Sequence, residues 1–201
     1  MTRDEFGKRL QQLMKEIVIG LLYYAAWARM YWHEDKDSWS LAEQNKALGS
    51  FGEFLTPVAS ALNGMALMQF AKVLDKDKNA RTASLATLLN AAQQKPELLP
   101  NRMPADLNTV AQRLKQSESI VTKLRRVRNQ KLAHANANPG PLELMKKDFD
   151  GLIDEIKSAF DCLSIGYGRP RVAWDFPVKG VERDGSELMR VLVREVRDGS
   201  L

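Results

Sequence analysis

The chain has 201 residues, 44% of them apolar and 27% charged, with a net charge of +5. Its length suits one domain with an ordinary core, and its apolar share excludes wholesale disorder. One cysteine, Cys162, excludes an internal disulfide or a cysteine zinc site, and two histidines, His33 and His134, leave little for a histidine-rich metal centre.

The chain opens on Thr2-Arg3-Asp4-Glu5, which reads as a capping box with Thr2 as N-cap. Its mixed charge does not resemble a signal peptide. Phe6, Leu10, Leu13, Ile17, Leu21, Tyr24, Ala28 and Tyr31 then recur at helical spacing, which predicts a long amphipathic helix. The greasiest stretch, Ile17 to Trp32, is short for a membrane span and flanked by Lys15 and Glu16, so it reads as a core helix. A soluble, cytoplasmic protein without membrane contact is expected. Six of the eight Tyr and Trp residues fall between Tyr23 and Trp39, where helical spacing points to core or dimer packing rather than base stacking. His33 sits in the acidic loop His33-Glu34-Asp35-Lys36-Asp37, read as solvated rather than metal-binding.

Ser40-Leu41-Ala42-Glu43 is a second capping box, and Thr56-Pro57 looks like a fresh helix start. Residues 41–74 are therefore either two helices or one kinked at Pro57. Asp75-Lys76-Asp77-Lys78-Asn79 reads as a solvated turn; it lacks the glycine and closing glutamate of a calcium loop. Ser84 caps a short helix carrying Leu85, Leu88 and Leu89, and Pro96, Pro100 and Pro104 punctuate a loop. Leu107, Val110, Leu114, Val121, Leu124 and Leu132 predict one helix over roughly 105–134, and Asn136 to Pro141 stops it. Leu142, Met145, Phe149, Leu152, Ile156, Phe160 and Leu163 predict a second long helix over 142–164, packed antiparallel to the first, with Cys162 as a small buried residue. Gly166, Gly168, Pro170, Pro177 and Gly180 predict an irregular tail with a short extended piece at Arg171–Trp174 and a last helix capped by Ser186. The expected organisation is an all-α up-and-down bundle over residues 1–165, with residues 166–201 packed on it as a tail.

Charge is concentrated. Residues 113–131 carry seven basic residues (Arg113, Lys115, Lys123, Arg125, Arg126, Arg128 and Lys131) against Glu118 alone, so the rest of the chain sums to −1. Such a stretch is either an electrostatic footprint for phosphate or a solvated face complementing the helix dipole. Counting back from Arg128 in helical steps gives Leu124, Val121, Ser117, Leu114 and Val110, which places Arg128 on the apolar stripe. A guanidinium there needs an acidic or phosphate partner. Asp148 or Asp154 on the following helix is the expected partner if the role is structural. His134 lies six residues on, about 9 Å along an ideal helix and about 120° around it.

The segment Arg128-Asn129-Gln130-Lys131-Leu132-Ala133-His134 resembles the R-N-x(n)-H motif of HEPN-domain proteins. With Leu-Ala-His followed by Ala135 and Asn136, it is most similar to the AbiU2-like HEPN branch linked to abortive infection. The order of helices agrees over about residues 1–165, without the tail. The resemblance implies a helical HEPN bundle, usually a homodimer whose Arg–His pairs line a shared cleft. Many members are metal-independent ribonucleases, while others only bind or scaffold. Carried over, Arg128 is the phosphate-binding arginine, Asn129 its polar neighbour and His134 the catalytic histidine. Imidazole titrates near neutral pH and suits proton transfer at a 2′-OH or a leaving 5′-oxygen, and guanidinium offers paired donors to the phosphate. Lys123, Arg125, Arg126 and Lys131 would hold the flanking RNA backbone. No metal or cofactor is implied; a toxin role in phage defence and an antitoxin partner are. A non-catalytic RNA-binding or protein-interaction module, or a bundle pairing Arg128 with a nucleotide phosphate, remains open beside this.

Overall fold

The computed structural model describes residues 1–32, 38–75, 83–102, 104–133 and 146–199, without the side chains of residues 104 and 130–133. Every regular element among them is helical: α1 (Arg3–Tyr31), α2 (Leu41–Ser50), α3 (Gly52–Leu74), α4 (Leu85–Gln94), α5 (Pro104–Gln116), α6 (Glu118–Ala133), α7 (Lys146–Tyr167) and α8 (Asp175–Arg197), with a 3-10 turn at Pro96–Leu98. The all-α expectation holds. The chain divides into two compact units, residues 1–18 with 67–173 and residues 19–66 with 174–201. Residues beyond 173 thus group with residues 19–66.

Local chemistry starts the helices where the caps predict. The Thr2 hydroxyl accepts from the Glu5 amide at 3.2 Å while the Thr2 amide donates to Glu5 at 2.7 Å. Ser40 and Glu43 form the same reciprocal pair ahead of α2, and the Ser84 hydroxyl accepts from the Thr87 amide at the start of α4. Pro104 opens α5, where its missing N–H costs nothing.

In the first unit, Phe6, Leu10, Leu13 and Ile17 of α1 are fully buried, as are Leu67 and Phe70 of α3 and Leu85 and Leu88 of α4. Phe149, Leu152, Ile156, Phe160 and Leu163 of α7 are buried at the predicted spacing, and so is Cys162, whose thiol burial pushes up. Leu142 and Met145 lie outside the described residues. α7 ends at Gly168, whose φ of 103° lets the Arg169 amide return to the Ser164 carbonyl at 2.9 Å.

The structure differs from the sequence reading in three places. Of the alternatives for residues 41–74, two helices holds, but they part at Phe51, and Pro57 lies inside α3. The predicted 105–134 helix is broken at Ser117 into α5 and α6, and α7 packs on α5 and α4. Arg113 to Glu155 at 2.8 Å ties α5 to α7. The tail is the third. Residues 175–197 form one continuous helix, and residues 171–173 form no strand. Pro177 falls in the first turn of α8, where its N–H is not needed. Ser186 is no cap; its hydroxyl donates to the Glu182 carbonyl and accepts from Arg29 Nε. Gly185 lets that arginine pass, since a Cβ there would sit 3.0 Å from Arg29 Cγ. Met189, Leu192, Val193 and Val196 supply the apolar face that holds α8 in a core with Met30, Trp39, Ala47 and Leu55.

The aromatic cluster belongs to this second unit. Trp27 and Trp32 meet edge to face at 4.6 Å, Tyr24 packs on both, and Trp39 is buried with Nε1 donating to Gln44. α3 meets the length and composition of a membrane span, a test that core helices also pass; Ala66, Leu67, Phe70, Ala71 and Val73 within it are core residues.

Candidate functional site

α6 turns three faces to its surroundings. Val121, Leu124 and Val127 are buried, Lys123, Arg126 and Asn129 are exposed, and Arg125 and Arg128 lie between. The two intermediate arginines stand one turn apart and converge on Asp75, the residue that follows α3. Asp75 Oδ1 accepts from Arg125 Nε at 3.3 Å, and Oδ2 accepts from Arg128 Nη1 at 2.7 Å. Arg125 also donates from Nη2 to the Leu74 carbonyl at 3.2 Å and from Nη1 to Glu118 at 3.1 Å. A carbonyl in the last turn of a helix has no intrahelical partner and carries negative partial charge, so a guanidinium suits it. Arg128 Nε donates to Asn129 Oδ1 at 3.1 Å, which fixes the plane of the guanidinium.

Among the described residues, two arginines therefore face two carboxylates, and these four groups sum to zero charge. This qualifies the basic stretch read from the sequence. The partner of Arg128 is Asp75, not Asp148 or Asp154, because α7 packs on α5 and α4. Sequence spacing could not find it across 53 residues. The signal was an acid just past a helix end beside an arginine on an apolar stripe. Asp75 is thus an anchored carboxylate, where the sequence suggested a solvated turn.

The structure brings Arg125, Arg128 and Asn129 together and leaves Lys123 and Arg126 on the exposed side of the same helix. Lys131 lies in α6 with its side chain outside the description, and His134 lies outside the described residues, as does His33. Among the described residues, no three His, Cys, Asp or Glu side chains are grouped to hold a metal ion.

An open cavity of about 440 Å³ adjoins the cluster. Leu74 and Glu118, both bonded to Arg125, form part of its wall.

A family model described as AbiU2, of the HEPN group, matches residues 3–188. The match runs past residue 165 into α8, so the family's span includes much of what the sequence reading set apart as a tail. No curated protein and no solved structure matches the chain.

Proposed function

The chain belongs to the AbiU2 family of HEPN proteins, and from that premise we propose that it is a metal-independent endoribonuclease of abortive infection. It acts in the cytoplasm as a homodimer, cutting RNA with Arg128 and His134 of both copies lining one cleft. The observation that carries this reading is the setting of Arg128. Its side chain is 24% exposed, oriented by Asn129 on one edge and Asp75 on another. A guanidinium so held meets a phosphate without first having to be ordered, which is what stabilising charge on a scissile phosphate requires.

The Asp75 pair does not remove Arg128 from service. Both partners touch solvent, and an ion pair of that kind contributes only about 0–1 kcal/mol. Guanidinium has five N–H donors, and among the described residues Asp75 and Asn129 engage only Nη1 and Nε. In this reading Nη2, which Asp75 and Asn129 do not engage, meets a phosphate oxygen. His134 then removes the 2′-OH proton or protonates the leaving 5′-oxygen, yielding a 2′,3′-cyclic phosphate. Exposed Lys123 and Arg126, with Lys131, hold the flanking backbone by charge.

A second reading, a module that binds RNA or a protein without cutting, is favoured by the neutrality of the arginine cluster. The two separate in one assay. Purified protein is expected to cut RNA in EDTA, with Arg128→Ala and His134→Ala each slowing formation of the cyclic-phosphate product by about 10²-fold or more. Cutting that needs Mg²⁺, or that survives both substitutions, overturns the proposal. Binding without cutting favours the second reading.

A further inference from the structure

We propose that the cavity between α4, α5 and α6 is a nucleobase pocket, seating one base of the strand whose scissile phosphate lies on Arg128; it rests on the reading of Arg128 given above. The cavity opens where α5 gives way to α6, opposite α4. Ala111 and Leu114 end on α5, Glu118 and Val121 start α6, and the α4 face bearing Leu89 stands opposite. Leu114 remains only partly buried as a result. About 440 Å³ lies within the range of small-molecule sites.

The lining describes its ligand. Leucine, alanine and valine side chains make apolar walls, while Asn90, Gln93 and Lys115 stand exposed at the mouth. A nucleobase has this character, with apolar faces and a rim of alternating donors and acceptors, and carboxamides match either. Lys115 supplies a cation for the attached phosphate. Glu118 disfavours an anionic head group in the pocket and accepts from an exocyclic amino group. Its Oε1 is engaged by Arg125, while its second oxygen has no partner among the described residues. This selects adenine, cytosine or guanine over uracil.

The pocket is also wired to the phosphate site. Glu118 bonds Arg125, Arg125 bonds Asp75, and Asp75 bonds Arg128. Arg125 and Arg128 are about 4.5 Å apart along the helix axis. Glu118 lies ten residues before Arg128, about 15 Å along an ideal helix, so a base against Glu118 and a phosphate on Arg128 belong to one strand a few nucleotides apart.

The test is titration of nucleoside 3′-monophosphates into the full chain, followed by amide chemical shifts and affinity. Cytidine or adenosine monophosphate is expected to shift α4 and α5 amides at sub-millimolar to millimolar concentration, with uridine monophosphate several-fold weaker. Glu118→Gln should erase that preference, and Ala111→Trp, which fills the cavity, should weaken binding at least tenfold. If Ala111→Trp fails to fold, Gln93→Ala and Lys115→Ala at the exposed mouth should each weaken binding several-fold. Pocket binding in a protein that cuts no RNA sustains the pocket and sinks the nuclease. RNA cutting through Arg128 and His134, with no nucleotide-induced shift around the cavity, sinks the pocket and leaves the nuclease standing. Affinity unchanged in folded Ala111→Trp also overturns it.

Discussion

α6 and α8 are both arginine-bearing helices late in the chain, and they dispose of their charge in opposite ways. α8 turns Met189, Leu192, Val193 and Val196 inward and leaves Arg190 and Arg194 on its outer side, paired with Glu187 and Asp198 on the same helix. Those two stay within the helix, and Arg197 at its end reaches Glu43 of α2. α6 turns Arg125 and Arg128 partly inward, to a carboxylate and a carbonyl at the end of another helix. Ion pairs so partly solvated contribute only about 0–1 kcal/mol each to stability. The difference separates a helix that builds a core from one that holds cations at a fixed address beside a cavity.

Substitutions can break that contrast. Met189 is fully buried, and Met189→Ala should cost about 2–5 kcal/mol by chemical denaturation, leaving RNA affinity per folded molecule unchanged. A cost under about 1 kcal/mol would show that α8 is not a core helix. Asp75→Ala should cost about 1 kcal/mol, since the ion pairs it breaks are partly solvated. It converts the neutral cluster to net positive, so RNA binding should tighten and its salt dependence steepen by roughly one ion. Weaker RNA binding would mean that Asp75 positions Arg128 more than it restrains it.

Smaller effects sharpen the picture of α8. Arg197 and the Ser40 backbone and hydroxyl hold the Glu43 carboxyl at about 2, well below its ordinary 4.5. A lowered folded value stabilises above the ordinary value and is lost as pH falls toward the folded one. Glu43→Gln should therefore lower the melting temperature slightly near neutral pH, and the gap should close as pH falls toward about 2. A gap independent of pH would contradict this. Arg190→Ala, on the outer side of α8, should change stability by less than about 0.5 kcal/mol.

What the sequence disclosed follows from the range of each interaction. α1, α4 and α7 were legible because caps and apolar stripes act within a few residues, and Phe6 to Ile17 or Phe149 to Leu163 carry the pattern unbroken. α8 was obscured by Pro177 and Gly180, residues that elsewhere end helices. Here the proline sits in a first turn and Gly185 accommodates Arg29. The break at Ser117 was hidden because Leu114, Val121 and Leu124 keep one helical phase across it. At the site, the need of Arg128 for an anion was legible in its phase, but the identity of Asp75 was not. Only the packing of α6 beside the end of α3 supplies it.

The most direct measurement of the central claim is the single-turnover cleavage rate of Arg128→Ala beside its melting temperature. The account predicts a rate lower by about 10²–10³-fold, the cost of removing one transition-state donor, with melting within a few degrees of the wild type. A wild-type rate, or a loss explained entirely by unfolding, would make Arg128 a structural ion-pair residue and contradict the account.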